Sequence, residues 1–179
     1  MKYEVRLAGE GGQGLILGGI ILAESAGIYE DYNVVQSQLY GAATRGELSK
    51  SEVIISDARI NYLKVRKADI FLCLTQDSYD EYSTDVKENG VIIIDPFFVE
   101  DFNKEDKRIK SVDLSRTALD ITGREITTNI VSLGVITVLI KIITKEAMKK
   151  AVLHRIPKGT EDLNLSALEA GFQLGGDIK

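Results

Sequence analysis

Gly9-Glu10-Gly11-Gly12-Gln13-Gly14 is the segment whose residue types and spacing speak first of chemistry. Gly9, Gly11 and Gly14 satisfy G-x-G-x-x-G, and Gly12 adds a fourth glycine. Lacking Cβ atoms, such a turn lets the backbone approach an anion closely, with N–H groups at the start of the next helix pointing outward. The same residues suit a tight packing turn that binds nothing, and the motif alone does not separate the two. Two familiar ligands fit poorly. The second apolar run, Val34-Val35-Gln36, ends without the Asp or Glu that would hold an NAD ribose, and Glu30 and Asp31 precede it. Gly14 leads into Leu15-Ile16-Leu17, with neither the Lys nor the hydroxyl of a G-x-x-x-x-G-K-[ST] loop, which argues against ATP hydrolysis.

A second segment, Gln36 to Gly46, places a run of small residues with Tyr40 and Arg45 between two expected strands. Loops of this make-up often meet a partner or ligand. The planar fork of Arg45 suits a phosphate or carboxylate; a solvated arginine or an internal salt bridge is the plainer alternative. Other reactive side chains read as structural. His154, the sole histidine, stands beside Arg155 near an expected helix end, where a cation interacts favourably with the dipole. Cys73 lies in the apolar run Ile70 to Leu74 and reads as inert core. Asp57 and Asp95 fall at strand ends and read as caps of following helices. Tyr79 and Tyr82, three residues apart, read as cover for the core.

These residues need a scaffold, and the hydrophobic pattern supplies one. Strands are expected at 5–8, 34–37, 51–56, 70–75, 91–95 and 109–112, several as continuous β-branched runs of the kind buried on both faces. Helices are expected at 15–26, 77–88, 115–121, 129–143, 145–155 and 161–172. Along 129–143, Asn129, Thr137 and Lys141 form a narrow polar stripe that needs water or a polar partner. The pattern predicts an α/β fold of three layers: a mostly parallel central sheet, helices on both faces, and a Rossmann-like opening βα unit. A length of 179 residues, 44% apolar, with two prolines and no linker-like tract, predicts a single domain over 1–179.

Composition narrows the function. The net charge of -5 is thinly spread, and Lys104, Lys107, Arg108 and Lys110 are interleaved with Glu105 and Asp106, so nucleic acid is not the expected partner. One cysteine can build neither a disulfide framework nor a thiolate-bound cluster, and no metal site is expected on this chain. The start, Met1-Lys2-Tyr3-Glu4, runs into strand alternation rather than a secretory signal. Polar residues interrupt the apolar stretch 126–143, which reads as a buried helix and not a membrane span. A cytoplasmic location is expected.

Several features together resemble the gamma subunit of 2-oxoacid:ferredoxin oxidoreductases. They are the turn Gly9 to Gly14, Gln36-Ser37-Gln38 with Tyr40-Gly41 and Arg45-Gly46, and the following Ser49-Lys50-Ser51-Glu52-Val53. Asn129 through Gly134 resembles the family's Asn-to-Gly helix start, and Asn164, Ala167 and Gly171 resemble its C-terminal N-x-x-A-x-x-x-G helix. Glu47 departs from the family, where a second glycine is common, as does Leu39, where a serine is frequent. The resemblance implies a hetero-oligomer that oxidatively decarboxylates a 2-oxoacid, 2-oxoglutarate in preference to pyruvate, to an acyl-CoA while reducing ferredoxin. It places thiamine diphosphate, magnesium and iron–sulfur clusters on partner subunits, alpha and beta with delta as a further candidate, and makes coenzyme A a co-substrate. This chain would hold none of those cofactors, carry no catalytic residue and be inactive alone. Gly11, Gly12, Gln13, Gly14, Tyr40, Gly41, Arg45 and Gly46 would contact coenzyme A or a neighbouring subunit. A free-standing nucleotide-binding protein and a ligand-free scaffold are the competing readings.

Overall fold

The computed structural model describes residues 1–39 and 48–178. Its elements follow in the order β1 (Lys2–Glu10), α1 (Leu15–Gly27), β2 (Asn33–Leu39), β3 (Leu48–Ser56), β4 (Ala68–Cys73), α2 (Gln76–Tyr82), β5 (Val86–Ile94), β6 (Ile109–Ser111), α3 (Leu114–Thr122), a 3-10 turn (Glu125–Thr127), α4 (Thr128–Ile140), α5 (Lys145–Arg155) and α6 (Glu161–Asp177). The strands form one sheet in the order β2-β3-β1-β4-β5-β6. β4, β5 and β6 continue parallel from β1, whereas β3 runs antiparallel to both β1 and β2. The expected mostly parallel sheet is therefore mixed: α1 carries the chain past one position to β2, and β3 returns through the gap.

Alternation along β1 explains the layers. Val5 and Leu7 face a large core shared with α1, α3, α4, α5 and α6; Ala8 belongs to a second core on the opposite face, with Phe71, Ile92, Val99 and Tyr82 of α2. Helices lie on both faces but unequally, since the second face has only short α2 and loops over it. That thin cover is braced by charge. Arg6 and Glu52 are both buried on it and pair at 2.9 Å, and the Arg6 guanidinium lies 4.9 Å from the ring centroid of Tyr82. Tyr82 in turn meets Phe71 edge to face, so it covers the core as expected.

Several boundaries differ from the sequence reading: β1 and β3 begin three residues earlier than expected, β1 runs on to Glu10, and α6 runs on to Asp177. The helix expected at 77–88 stops at Tyr82, and β5 begins at Val86, because Val86 is buried and pairs with Ala68 across a register shift. α4 ends at Ile140, where Lys141 turns left-handed at φ 60°. Of the polar stripe, Lys141 is exposed, while Asn129 and Thr137 are buried with polar partners, Thr137 donating to the Leu133 carbonyl at 2.7 Å; Ser132 is likewise buried and donates to the Thr128 carbonyl at 2.8 Å. A serine or threonine hydroxyl satisfied on its own helix can enter a core.

α4 and α6 pack through small residues. A Cβ at Gly134 would stand 2.5 Å from the Leu168 carbonyl oxygen, and one at Gly171 would stand 2.1 Å from that of Val131. This close approach gives a physical meaning to the two glycines of the family-like helices.

Candidate functional site

β1 and β4 lie side by side and parallel, and their crossovers leave to opposite faces, α1 to the larger core and α2 to the smaller. The C-terminal ends of such a pair form the topological switch point of an open α/β sheet, the usual place for ligands. The glycine-rich turn lies there. Gly12 (φ 105°) and Gly14 (φ 73°) adopt left-handed conformations, so the turn needs residues without a Cβ at both positions. Gly14 also N-caps α1, which has no side-chain cap and no acidic residue in its first turn. N–H groups at the start of α1 are thus left for another partner.

The four glycine-turn residues expected at a binding surface divide by role. Gln13 is turned inward: its Oε1 accepts from the Glu10 N–H at 2.8 Å and its Nε2 donates to the Leu74 carbonyl at 3.0 Å, which ties the turn to the end of β4. The Gly14 carbonyl accepts from Asn129 Nδ2 at 3.2 Å, and a Cβ on Gly14 would collide with that amide. Gly11 and Gly12 are exposed. Gln13 and Gly14 therefore shape the turn, and Gly11 and Gly12 present it. Tyr40, Gly41, Arg45 and Gly46 lie outside the described residues. The residues flanking that segment stand at the same sheet end as the turn, because Leu48 pairs with Glu10 and Leu39 with Lys50.

Beside the turn, a hollow of about 220 Å³ is lined by Gly12, Gln13, Leu74, Phe98, Glu125, Ile126 and Thr128. A neighbouring hollow of about 280 Å³ shares Glu125 and is lined further by Asp95, Phe97, Asp113, Ser115, Arg116 and Leu119. Asp95 acts as the expected cap. Its carboxylate accepts from the Ser115 N–H of α3 at 2.6 Å and from the Phe97 N–H at 3.0 Å. Sequence reasoning missed Phe97, Phe98, Leu119, Glu125 and Ile126. The available signal was a pair of phenylalanines directly after a strand and Pro96, and an isoleucine just beyond the αL glycine that ends α3.

Cys73, at the end of β4, is not prepared as a nucleophile. Burial pushes the Cys73 thiol up to about 11, against the opposing pull of its contact with Ser78 Oγ at 3.2 Å. A thiol so placed is protonated at neutral pH. Among the described residues no group of three or more His, Cys, Asp or Glu could hold a metal ion. His154 lies elsewhere: with Arg155, at the end of α5, it pairs with buried Glu24 of α1. Its expected place near a helix end holds, but it clamps two helices instead of merely fronting solvent. Asp57 caps no helix; its carboxylate pairs with the Met1 amino group at 2.7 Å, and that hydrogen bond holds its pKa below the usual range.

The geometry is that of a three-layer α/β fold with a glycine-rich turn at its switch point and apolar side chains around it. The model of the pyruvate ferredoxin/flavodoxin oxidoreductase family matches residues 4–174, and the chain belongs to that family. It is 43% identical to the 2-oxoglutarate synthase subunit KorC of Methanocaldococcus jannaschii over 99% of this chain and 96% of the relative. A solved gamma subunit of a keto/oxoacid ferredoxin oxidoreductase from Geobacter sulfurreducens superposes with a TM-score of 0.90 at 43% identity, covering 100% of this chain and 99% of that one. The 2-oxoglutarate:ferredoxin oxidoreductase of Magnetococcus marinus shares the fold, with a TM-score of 0.86 at 20% identity; the match covers 32% of that longer chain. Among the described residues, no helix is long and apolar enough to cross a membrane.

Proposed function

We propose that this chain is the gamma subunit of a 2-oxoglutarate:ferredoxin oxidoreductase, acting as one domain over residues 1–179 in the cytoplasm. End-to-end identity of 43% to a 2-oxoglutarate synthase subunit carries the reading. Its partners are the alpha and beta subunits, with delta a further candidate, and they hold thiamine diphosphate, magnesium and the iron–sulfur clusters. Ferredoxin is met through the assembled complex. The chain contributes a surface: the exposed backbone of Gly11 and Gly12 and the start of α1 face coenzyme A or the catalytic subunits, and Arg45 supplies a cation for an anionic group.

Glu10 and Glu125 flank the turn, so its described surroundings alone are a poor cradle for phosphate. That makes Arg45 the deciding residue. In the complex reconstituted with its own partner subunits, 2-oxoglutarate should be turned over in preference to pyruvate. Arg45→Ala should raise the KM for coenzyme A by about tenfold, the worth of one charge-assisted hydrogen bond. An unchanged KM with unchanged subunit affinity removes the contact; loss of subunit affinity alone makes the loop structural.

A further inference from the structure

Building on the proposed place of this chain in a multi-subunit enzyme, we propose that one partner subunit docks on the rim formed by Phe97, Leu119 and Ile126, meeting it with apolar side chains flanked by Lys or Arg. The three side chains are 70%, 49% and 60% exposed. Scattered exposed hydrophobics are ordinary, but these border two adjoining hollows that share Glu125.

The rim is rigid. The Asp95 carbonyl accepts from the N–H groups of Phe98 and Val99, and its carboxylate from that of Phe97, so the turn after β5 is held at three points. Phe98 packs against the smaller core, and Phe97 stands edge to face on it at 5.0 Å, outward. On α3, Leu114 and Ala118 are buried while Leu119 points away from them. An apolar anchor already ordered loses little entropy on association, which favours its use in an interface.

Charge identifies the occupant. Asp113 and Glu125 are exposed around this apolar centre, and neither has an ion-pair partner among the described residues. Arg116 is engaged with Asp120 at 2.9 Å, which leaves Arg124 as the one cation on the Glu125 loop free of a described ion pair. An apolar centre with an acidic border selects a basic-bordered partner and repels an acidic one. Docking here would also cover Gly12 and the turn.

The test is affinity between this chain and its co-purified alpha and beta subunits, by calorimetry on the full-length proteins. Phe97→Ser with Ile126→Ser should weaken association by at least about tenfold, as loss of central apolar anchors does. Asp113→Lys with Glu125→Lys should weaken it at low salt, with the deficit narrowing as salt rises. Ile28→Ser with Leu153→Ser, on exposed side chains away from the rim, should leave affinity unchanged. Circular dichroism should show all variants folded, since the changed side chains are exposed. Wild-type association that the rim variants leave intact, or that only the Ile28 and Leu153 pair disturbs, overturns the docking face alone. No association of the wild-type chain overturns both this and the subunit reading.

Discussion

Gly171→Ala isolates the contact that sets α4 against α6. The nearest atoms to the added Cβ are the Val131 carbonyl oxygen at 2.1 Å, the Gly134 Cα at 2.9 Å and the Val131 carbonyl carbon at 2.9 Å. All three are backbone, so no side chain can swing aside and the helices must part. Overpacking of this kind costs about 1–3 kcal/mol, and rigid backbone on every side puts this site at the upper end. Alanine returns about 1 kcal/mol of helix propensity, leaving a net loss of about 2 kcal/mol. For a chain of this size that is a fall of about 4–8 °C in Tm. Gly176 supplies the control on the same helix: it is exposed, and a Cβ there meets nothing within 4 Å. Gly176→Ala should raise Tm by about 1–3 °C through propensity and the unfolded chain alone. Thermal unfolding followed by circular dichroism reads both. A Gly171→Ala protein melting at or above wild type would refute the close-approach argument. The effect should reach the site, because α4 carries Asn129, whose amide holds the Gly14 carbonyl.

Two more perturbations probe the second face of the sheet. Arg6→Met strands the buried Glu52 carboxylate and should destabilise by about 3 kcal/mol in urea unfolding, the low end for a broken buried pair because Lys50 and the Val65 N–H still reach Glu52. Adding Glu52→Met should recover much of that loss; a double variant as unstable as the sum of the singles would show that the pair is not the cause. For Cys73, burial raises the thiol from 9.0 to about 11, so the native state keeps its proton where the unfolded chain loses it. Its contribution to stability is present below pH 9.0 and is lost as pH rises toward 11. Wild type should therefore lose more stability than Cys73→Ala across that window, and a thiol reagent at pH 8 should label it only as fast as the protein unfolds. Rapid native labelling would contradict the burial.

The α/β class, all the strands and the helix starts were legible because apolar runs bounded by turn and capping residues leave local signatures. The 77–88 helix ran too long because Val86 looks as helical as its neighbours until Ala68 of β4 is beside it. Which polar partner the buried hydroxyls of α4 would find was not legible: Ser132 and Thr137 bond carbonyls of their own helix and so sit in the core.

The same division holds at the site. Residue types and spacing alone determined that a glycine-rich turn leads from the first strand into a helix, although β1 runs on through Gly9 and Glu10 so that the turn begins at Gly11, and that Cys73 is core. Both rest on what a short stretch can or cannot adopt, and the resemblance to a gamma subunit was carried by the motifs taken together. Only the tertiary structure decided that Gln13 faces inward to Leu74, that Asn129 grips Gly14 from 115 residues away, and that Phe97, Leu119 and Ile126 share one rim with Glu125. Those are meetings between distant segments, set by strand order and helix packing, and no local pattern encodes them. The glycine turn thus came from the sequence, and its working surroundings from the fold.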